Sequence, residues 1–380
     1  MAPLTIIGTG MAGYSVARQW RLLDPDSPLR IITRDDGAMY SKPMLSKALQ
    51  LGKDAEGLRQ FTAAQMAETL KAEILTDTQV THLAPAEHKV LVDDRAYEYS
   101  QLVLAIGAEV ARVPVEGSAA DRIMSVNDLV DYARFRAALK PGARVLLIGA
   151  GLIGSEFAND LAAGGYSVQV VDPAGWPLPR LLPEALGRAV QDAMVPLGVT
   201  WHLGTTVHQL DLAGEAMHVR LSNQQSFEVD AALMAVGLRP RLGLAKTAGI
   251  DCGIGIRVDR QLRTSQPDIF ALGDCVEIGG RLMPYIQPIS LAAKPLAEVL
   301  AGRDSALKLP AMPVIVKTPA CPVIVCASHT EEGHWDVQGT APDYEAVFRA
   351  ADGRPLGFAL TGAATSKRLV YAQQMPAVME

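Results

Sequence analysis

The chain has 380 residues, enough for two or three domains at about 100–200 residues each. Apolar residues make up 49% and charged residues 20%, which is globular usage, while a net charge of −6 and 5% aromatics offer nucleic acid neither a basic footprint nor stacking surfaces. No apolar run approaches the roughly 20 residues that span a bilayer, and the N-terminus enters a strand pattern without a basic leader, so a cytoplasmic protein with no membrane and no nucleic-acid partner is expected.

The first predicted element is a strand over residues 4–7. Gly8-Thr9-Gly10-Met11-Ala12-Gly13 follows it and opens a helix over 12–22. Dinucleotide binding needs this order: Gly8 for a tight turn, Gly10 for close approach of a pyrophosphate, Gly13 for packing of helix on strand. The helix N-terminus then offers N–H groups and a positive dipole end to the phosphates. A second strand at 29–33 leads to Asp35 and Asp36, either of which could bind a ribose. An apolar run at 102–107 ends in Ala105-Ile106-Gly107.

The same signals then recur. A strand at 145–148 precedes Gly149-Ala150-Gly151-Leu152-Ile153-Gly154, a helix begins near Ile153, a second strand covers 168–171, and an apolar run at 232–237 ends in Gly237. Asp172 stands about 20 residues past the motif, the spacing of a carboxylate that grips the adenosine 2′-hydroxyl. It would repel a 2′-phosphate, and Pro173-Ala174-Gly175 bring no cation, so NADH is expected over NADPH. Arg180 could reach a cofactor or be a surface cation.

Beyond Gly273-Asp274 the pattern changes. A helix is predicted over 288–301, with Pro288 in its first turn and a kink at Pro295. A linker at 302–313 is followed by β-type runs at 314–317, 323–326, 345–349 and 355–360, with Asp352-Gly353 as a hairpin turn. The expected fold is α/β: two Rossmann-like dinucleotide-binding domains and a small α+β C-terminal domain. The first domain (1–111 and 238–305) is interrupted by the second (112–237), and the third covers 306–380.

Residues 264–274 read Thr-Ser-Gln-Pro-Asp-Ile-Phe-Ala-Leu-Gly-Asp, which resembles the second FAD signature of flavoproteins with two dinucleotide domains. The resemblance implies that the interrupted domain binds FAD and that Asp274 accepts a hydrogen bond from the ribityl chain. Tyr40-Ser41-Lys42-Pro43-Met44-Leu45-Ser46-Lys47 resembles the Tyr-x-(Arg/Lys)-Pro-x-Leu-Ser-Lys stretch of the ferredoxin and rubredoxin reductase branch of the pyridine-nucleotide flavoprotein reductases. Met44 departs from the proline many relatives carry. The likeness covers roughly residues 4–302.

In that branch a lysine beside the flavin pairs with a glutamate just past the NAD motif. Lys42 and Glu156 match and form the candidate catalytic pair. For FAD the resemblance implies contacts at Gly8, Thr9, Gly10, Met11, Ala12, Gly13, Asp35, Lys42, Val80, Ala105, Gly107, Asp274, Ile286 and Lys317. For NAD(H) it implies Gly149, Gly151, Leu152, Ile153, Gly154, Glu156, Asp172 and Gly237.

Four cysteines occur, at 252, 275, 321 and 326, with no zinc spacing, so no metal site is expected. None lies where disulfide reductases carry their reactive pair, so electrons must leave the flavin by another route. Cys321 and Cys326 read as small hydrophobes. The stretch Val316-Lys317-Thr318-Pro319-Ala320-Cys321-Pro322 and the compact third domain resemble the rubredoxin-directed members. The implied function is transfer of electrons from NADH through FAD, singly, to rubredoxin, as in alkane oxidation. A ferredoxin acceptor, an NADH:oxygen oxidase and a non-catalytic redox sensor are the alternatives. Lys47, Lys294, Lys317, Lys367 and Arg368 are candidates for a basic rim that steers an acidic carrier.

Overall fold

A computed structural model describes residues 1–327 and 332–380. Its first sheet is parallel, with strand order Ile269–Ala271, Gln101–Leu104, Leu4–Ile7, Leu29–Ile32, Glu73–Leu75. The central strands are runs of Leu, Ile and Val with almost no exposure, as expected where both faces are covered. Helix Met11–Leu23 follows the first glycine motif and packs along helix Ile286–Leu300. The second sheet is also parallel, with order Val199–Leu203, Ser167–Asp172, Arg144–Ile148, Ala231–Met234. Helix Leu152–Ala163 follows its glycine motif.

Because Ile269–Ala271 pairs with Gln101–Leu104, the chain returns to finish the first sheet after building the second. The passage between them is a two-stranded antiparallel ribbon, Ala108–Val110 against Leu238–Pro240. Each glycine turn therefore sits at the carboxyl end of its parallel sheet, where open α/β sheets bind ligands.

The third sheet is antiparallel, with order Val314–Val316, Val323–Cys326, Pro355–Thr361, Asp343–Arg349, His334–Thr340. The last of these strands was not foreseen: it lies at the sheet edge, is almost wholly exposed, and alternates only briefly, at Trp335 and Val337. Helix Ile286–Leu300 begins two residues before the expected 288, after the extended Tyr285, and contains Pro295. The segment 302–313, expected as a linker, is tied down instead. Leu307 N donates to Arg260 O at 2.7 Å, Leu309 pairs with Met379, and both leucines are buried. Leu307 and Leu309, with Ala311 and Met312 packed against neighbouring core clusters, dock it.

The third sheet shares a core with the second. Val316, Val323, Val325, Ala346 and Ala359 pack in one cluster with Val145, Leu147, Phe157 and Leu161. That packing carries Lys317 to the helix of the second glycine motif. Among the described residues no helix is long and apolar enough to cross a membrane.

Candidate active site

Gly8 has φ +112°, and an added Cβ would overlap the Ala105 carbonyl; a Cβ on Gly13 would overlap the Gly8 carbonyl. Strand, turn and helix can therefore close this tightly only with glycine at both positions. At Gly10 nothing lies within 4 Å, so the turn opens outward there. Gly10 is also the N-cap and gives no side-chain cap, which leaves the first-turn N–H groups of Met11, Ala12 and Gly13 for an anion. The second motif repeats the arrangement: Gly149 against the Ala235 carbonyl, Gly154 against Gly149, and Gly151 open and uncapped. Leu152 is half-buried and Ile153 is exposed at that turn. Gly107 and Gly237, both at positive φ, end the strand crossings beside the two turns.

The acidic residues separate clearly. Asp35 Oδ1 accepts from Thr33 Oγ1 at 2.6 Å, Thr9 Oγ1 at 3.0 Å and Gly37 N at 3.1 Å. Asp36 instead pairs with Arg59 at 2.8 Å on the surface. Asp35 is thus the carboxylate held at the first glycine turn. Asp172 accepts from Ala150 N at 2.7 Å through one oxygen and from Ala174 N at 2.8 Å through the other, which fixes it at the second turn.

Gly273 brings the two halves of the first domain together, because a Cβ there would sit 2.8 Å from Ala12 Cβ. Asp274 accordingly lies beside the start of helix Met11–Leu23. Burial raises its pKa, and Lys42 opposes that rise. Burial lowers the Lys42 pKa; Asp274 counters, while Arg241 and Arg34 push it further down. Asp128 also counters the fall, and Arg241 in turn feels Glu109, Asp128 and Asp131. A cleft of about 470 Å³ lies among them, lined by Arg34, Asn127, Asp128, Asp131, Arg239 and Arg241, with others. Asn127 is buried; its Nδ2 donates to Ala108 O at 3.0 Å, and its Oδ1 has no partner among the described residues. The open helix N-termini and the cations Arg34, Arg239 and Arg241 fit an anionic dinucleotide. Arg34, Asn127 and Arg241 were not foreseen. Arg239 and Arg241, alternating just after Gly237, were the available signal.

Glu156 is fully buried on helix Leu152–Ala163. Its Oε1 accepts from Lys317 N at 2.9 Å, and its Oε2 accepts from Ser46 Oγ at 2.6 Å and from Lys317 Nζ at 2.5 Å. The expected Lys42–Glu156 pair is therefore replaced by Lys317–Glu156. Both carboxylate oxygens are filled by Ser46 and the end of strand Val314–Val316, while Asp274 is the opposite charge that acts most strongly on Lys42. Ile286 is 45% exposed at the uncapped start of its helix. Val80 is buried in the first core, and its carbonyl accepts from Gln79 Nε2 at 3.0 Å.

Cys275, Cys321 and Cys326 are buried. Burial pushes the Cys321 thiol up to about 11 and the Cys275 thiol to about 12, so neither is a thiolate near neutrality. Among the described residues no group of His, Cys, Asp and Glu could hold a metal ion.

Residues 2–294 match the family model described as pyridine nucleotide-disulphide oxidoreductase. The chain belongs to that family. Its members work with FAD and NAD(H), in keeping with the two glycine turns. Residues 306–375 match a second model, the rubredoxin binding C-terminal domain. The chain is 43% identical to a rubredoxin-NAD(+) reductase of Alcanivorax borkumensis, with 100% of each chain covered. It is 40% identical to one of Acinetobacter baylyi, covering 99% of this chain and 98% of the other. A nitric oxide reductase FlRd-NAD(+) reductase of Vibrio vulnificus is 38% identical, covering 95% and 94%. Among solved structures, the ferredoxin reductase for the CYP199A2 system from Rhodopseudomonas palustris is 25% identical over 99% of this chain and 96% of that one, with a TM-score of 0.88. The putidaredoxin reductase–putidaredoxin complex, 24% identical with a TM-score of 0.88, shares the fold; it covers 99% of this chain and 94% of that one.

Proposed function

We propose that the chain is an NADH-dependent, FAD-containing reductase that passes electrons one at a time to rubredoxin. One observation carries the reading: the helix that opens at the second glycine motif holds Glu156 against Lys317, and Lys317 directly follows strand Val314–Val316 within the stretch that matches the rubredoxin binding domain. That contact joins the donor side to the acceptor side. When bound, FAD supplies the step between a two-electron donor and a one-electron carrier. Asp172 orients the adenosine ribose of NADH and disfavours a 2′-phosphate. The uncapped turns at Gly10 and Gly151 hold diphosphates. Lys42, whose charge Asp274 favours, supplies fixed positive charge near the redox centre. Glu156 holds the Lys317 ammonium in one place. No cysteine is needed on this path.

Three finer readings go with it. The FAD domain comprises 1–111 and 238–305, the NAD domain 112–237 and the acceptor domain 306–380. The physiological setting is the cytoplasm. Electrons serve an alkane-oxidising system. Stopped-flow mixing of NADH-reduced enzyme with rubredoxin tests the central claim. Fast transfer that weakens with salt is the expected result, with a [2Fe–2S] ferredoxin much slower. Equal or faster ferredoxin reduction would assign the other acceptor, and failure to reduce either would remove the reading.

A further inference from the structure

Besides Ser155, whose hydroxyl donates to the Ala150 carbonyl of its own turn, helix Leu152–Ala163 buries two more polar side chains that the reading above does not use. Asn159 is 2% exposed and Asp160 3%, on the helix face that carries Glu156 three and four residues earlier. Asp160 reaches the first domain: Oδ2 accepts from Leu49 N at 3.0 Å and Oδ1 from Gln50 N at 2.9 Å. Those amides follow the 3₁₀ turn Lys42–Lys47, just past its C-cap Ala48. Asn159 reaches the third domain, where its Oδ1 accepts from Ala320 N at 3.0 Å, three residues past Lys317. One helix face thus grips the segment that carries Lys42 and the segment that carries Lys317.

We propose that Asp160 and Asn159 are positioning residues that lock these two segments onto the NAD-side helix, and so set where Lys42 and Lys317 stand relative to the hydride path. Packing alone does not call for them. A leucine would fill the volume without the desolvation cost of a buried carboxylate. What the carboxylate adds is direction, since two charge-assisted bonds to consecutive amides define both the position and the orientation of a loop. The inference rests on the reductase reading above.

Asp160→Asn keeps the shape but turns an amide NH₂ toward one of the two backbone donors. The expected result is reduction of the flavin by saturating NADH slowed about 10–100-fold, the range that small misplacements produce, together with a shifted flavin midpoint potential. Asn159→Leu removes the Ala320 bond at similar volume and should slow the same step. Asp230→Asn, which breaks a surface pair with Arg144 at 2.8 Å on the second sheet, serves as a control that lowers stability and leaves both readouts unchanged. If Asp160→Asn and Asn159→Leu lower only the melting temperature, with rate and potential unchanged, the positioning role is overturned. If Asp160→Asn does not fold, Asn159→Leu alone decides by the same two readouts. Lys42→Ala separates the two claims. Slow reduction in Lys42→Ala with normal reduction in the positioning variants sinks only this inference, whereas a normal rate in Lys42→Ala sinks the hydride path on which it rests.

Discussion

Lys42 is a cation placed where cations are disfavoured. Burial and the nearby Arg241 and Arg34 lower its pKa, and Asp274 only partly restores it. The sign of the pH dependence follows. A lowered pKa means that the ammonium is lost at a lower pH than in a free lysine. Flavin reduction by NADH should therefore slow as pH rises, on a limb below the ordinary lysine range. Lys42→Arg should abolish that limb, because a guanidinium does not titrate there. A pH–rate profile that is the same for both proteins would remove Lys42 from the path.

Asp172 makes a different kind of statement at the same scale. Its two oxygens are held by Ala150 N and Ala174 N, so its charge cannot swing away from an incoming 2′-phosphate. Asp172→Ala should lower kcat/KM for NADH about tenfold and narrow the preference over NADPH, the scale of one lost charge-assisted hydrogen bond. Steady-state kinetics with both nucleotides check this; an unchanged ratio would assign specificity elsewhere.

At the scale of elements, the two glycine turns are copies on separate sheets. Each relies on a helix pressed against its own turn, Gly13 on Gly8 and Gly154 on Gly149. Gly154→Ala must push helix Leu152–Ala163 outward, and should weaken NADH binding at least tenfold while FAD stays bound. Gly13→Ala should do the reverse and shed FAD during gel filtration. Flavin absorbance of the purified variants and an NADH titration tell the cases apart. Loss of both cofactors in either variant would contradict independent turns. The turns were legible because their requirements are local: spacing, missing side chains and strand–helix order are all written within a dozen residues. The strand His334–Thr340 was not, because it is an edge strand in which only Trp335 is even half-buried, so burial imposes little pattern on it.

At the scale of the molecule, the third sheet completes the core of the second. Val316, Val323 and Val325 pack with Val145, Leu147 and Leu161. A chain ended at residue 305 would expose that apolar surface. It should aggregate or melt well below the full chain, and calorimetry of the full chain should show the second and third sheets unfolding in one transition. Separate transitions for the two would argue against a shared core. This continuity also explains why Lys317, far along the chain, meets a helix of the NAD side.

The sequence by itself determined the two dinucleotide turns, the nesting of one α/β unit within another, the lack of any cysteine before Cys252 and the resemblance that led to a reductase. Those properties are carried by short motifs and by composition, which need no partner to be read. Only the tertiary structure decided who meets whom. It chose Asp35 over Asp36 by closing Thr9 and Thr33 on one carboxylate. It gave Glu156 to Lys317 rather than Lys42, across 161 positions. It also turned Asn159 and Asp160, two unremarked polar residues in an apolar helix, into the contacts between three segments. The reason is physical: a buried charge takes whichever donors the packing brings within reach, and packing between distant segments leaves no local mark on the chain.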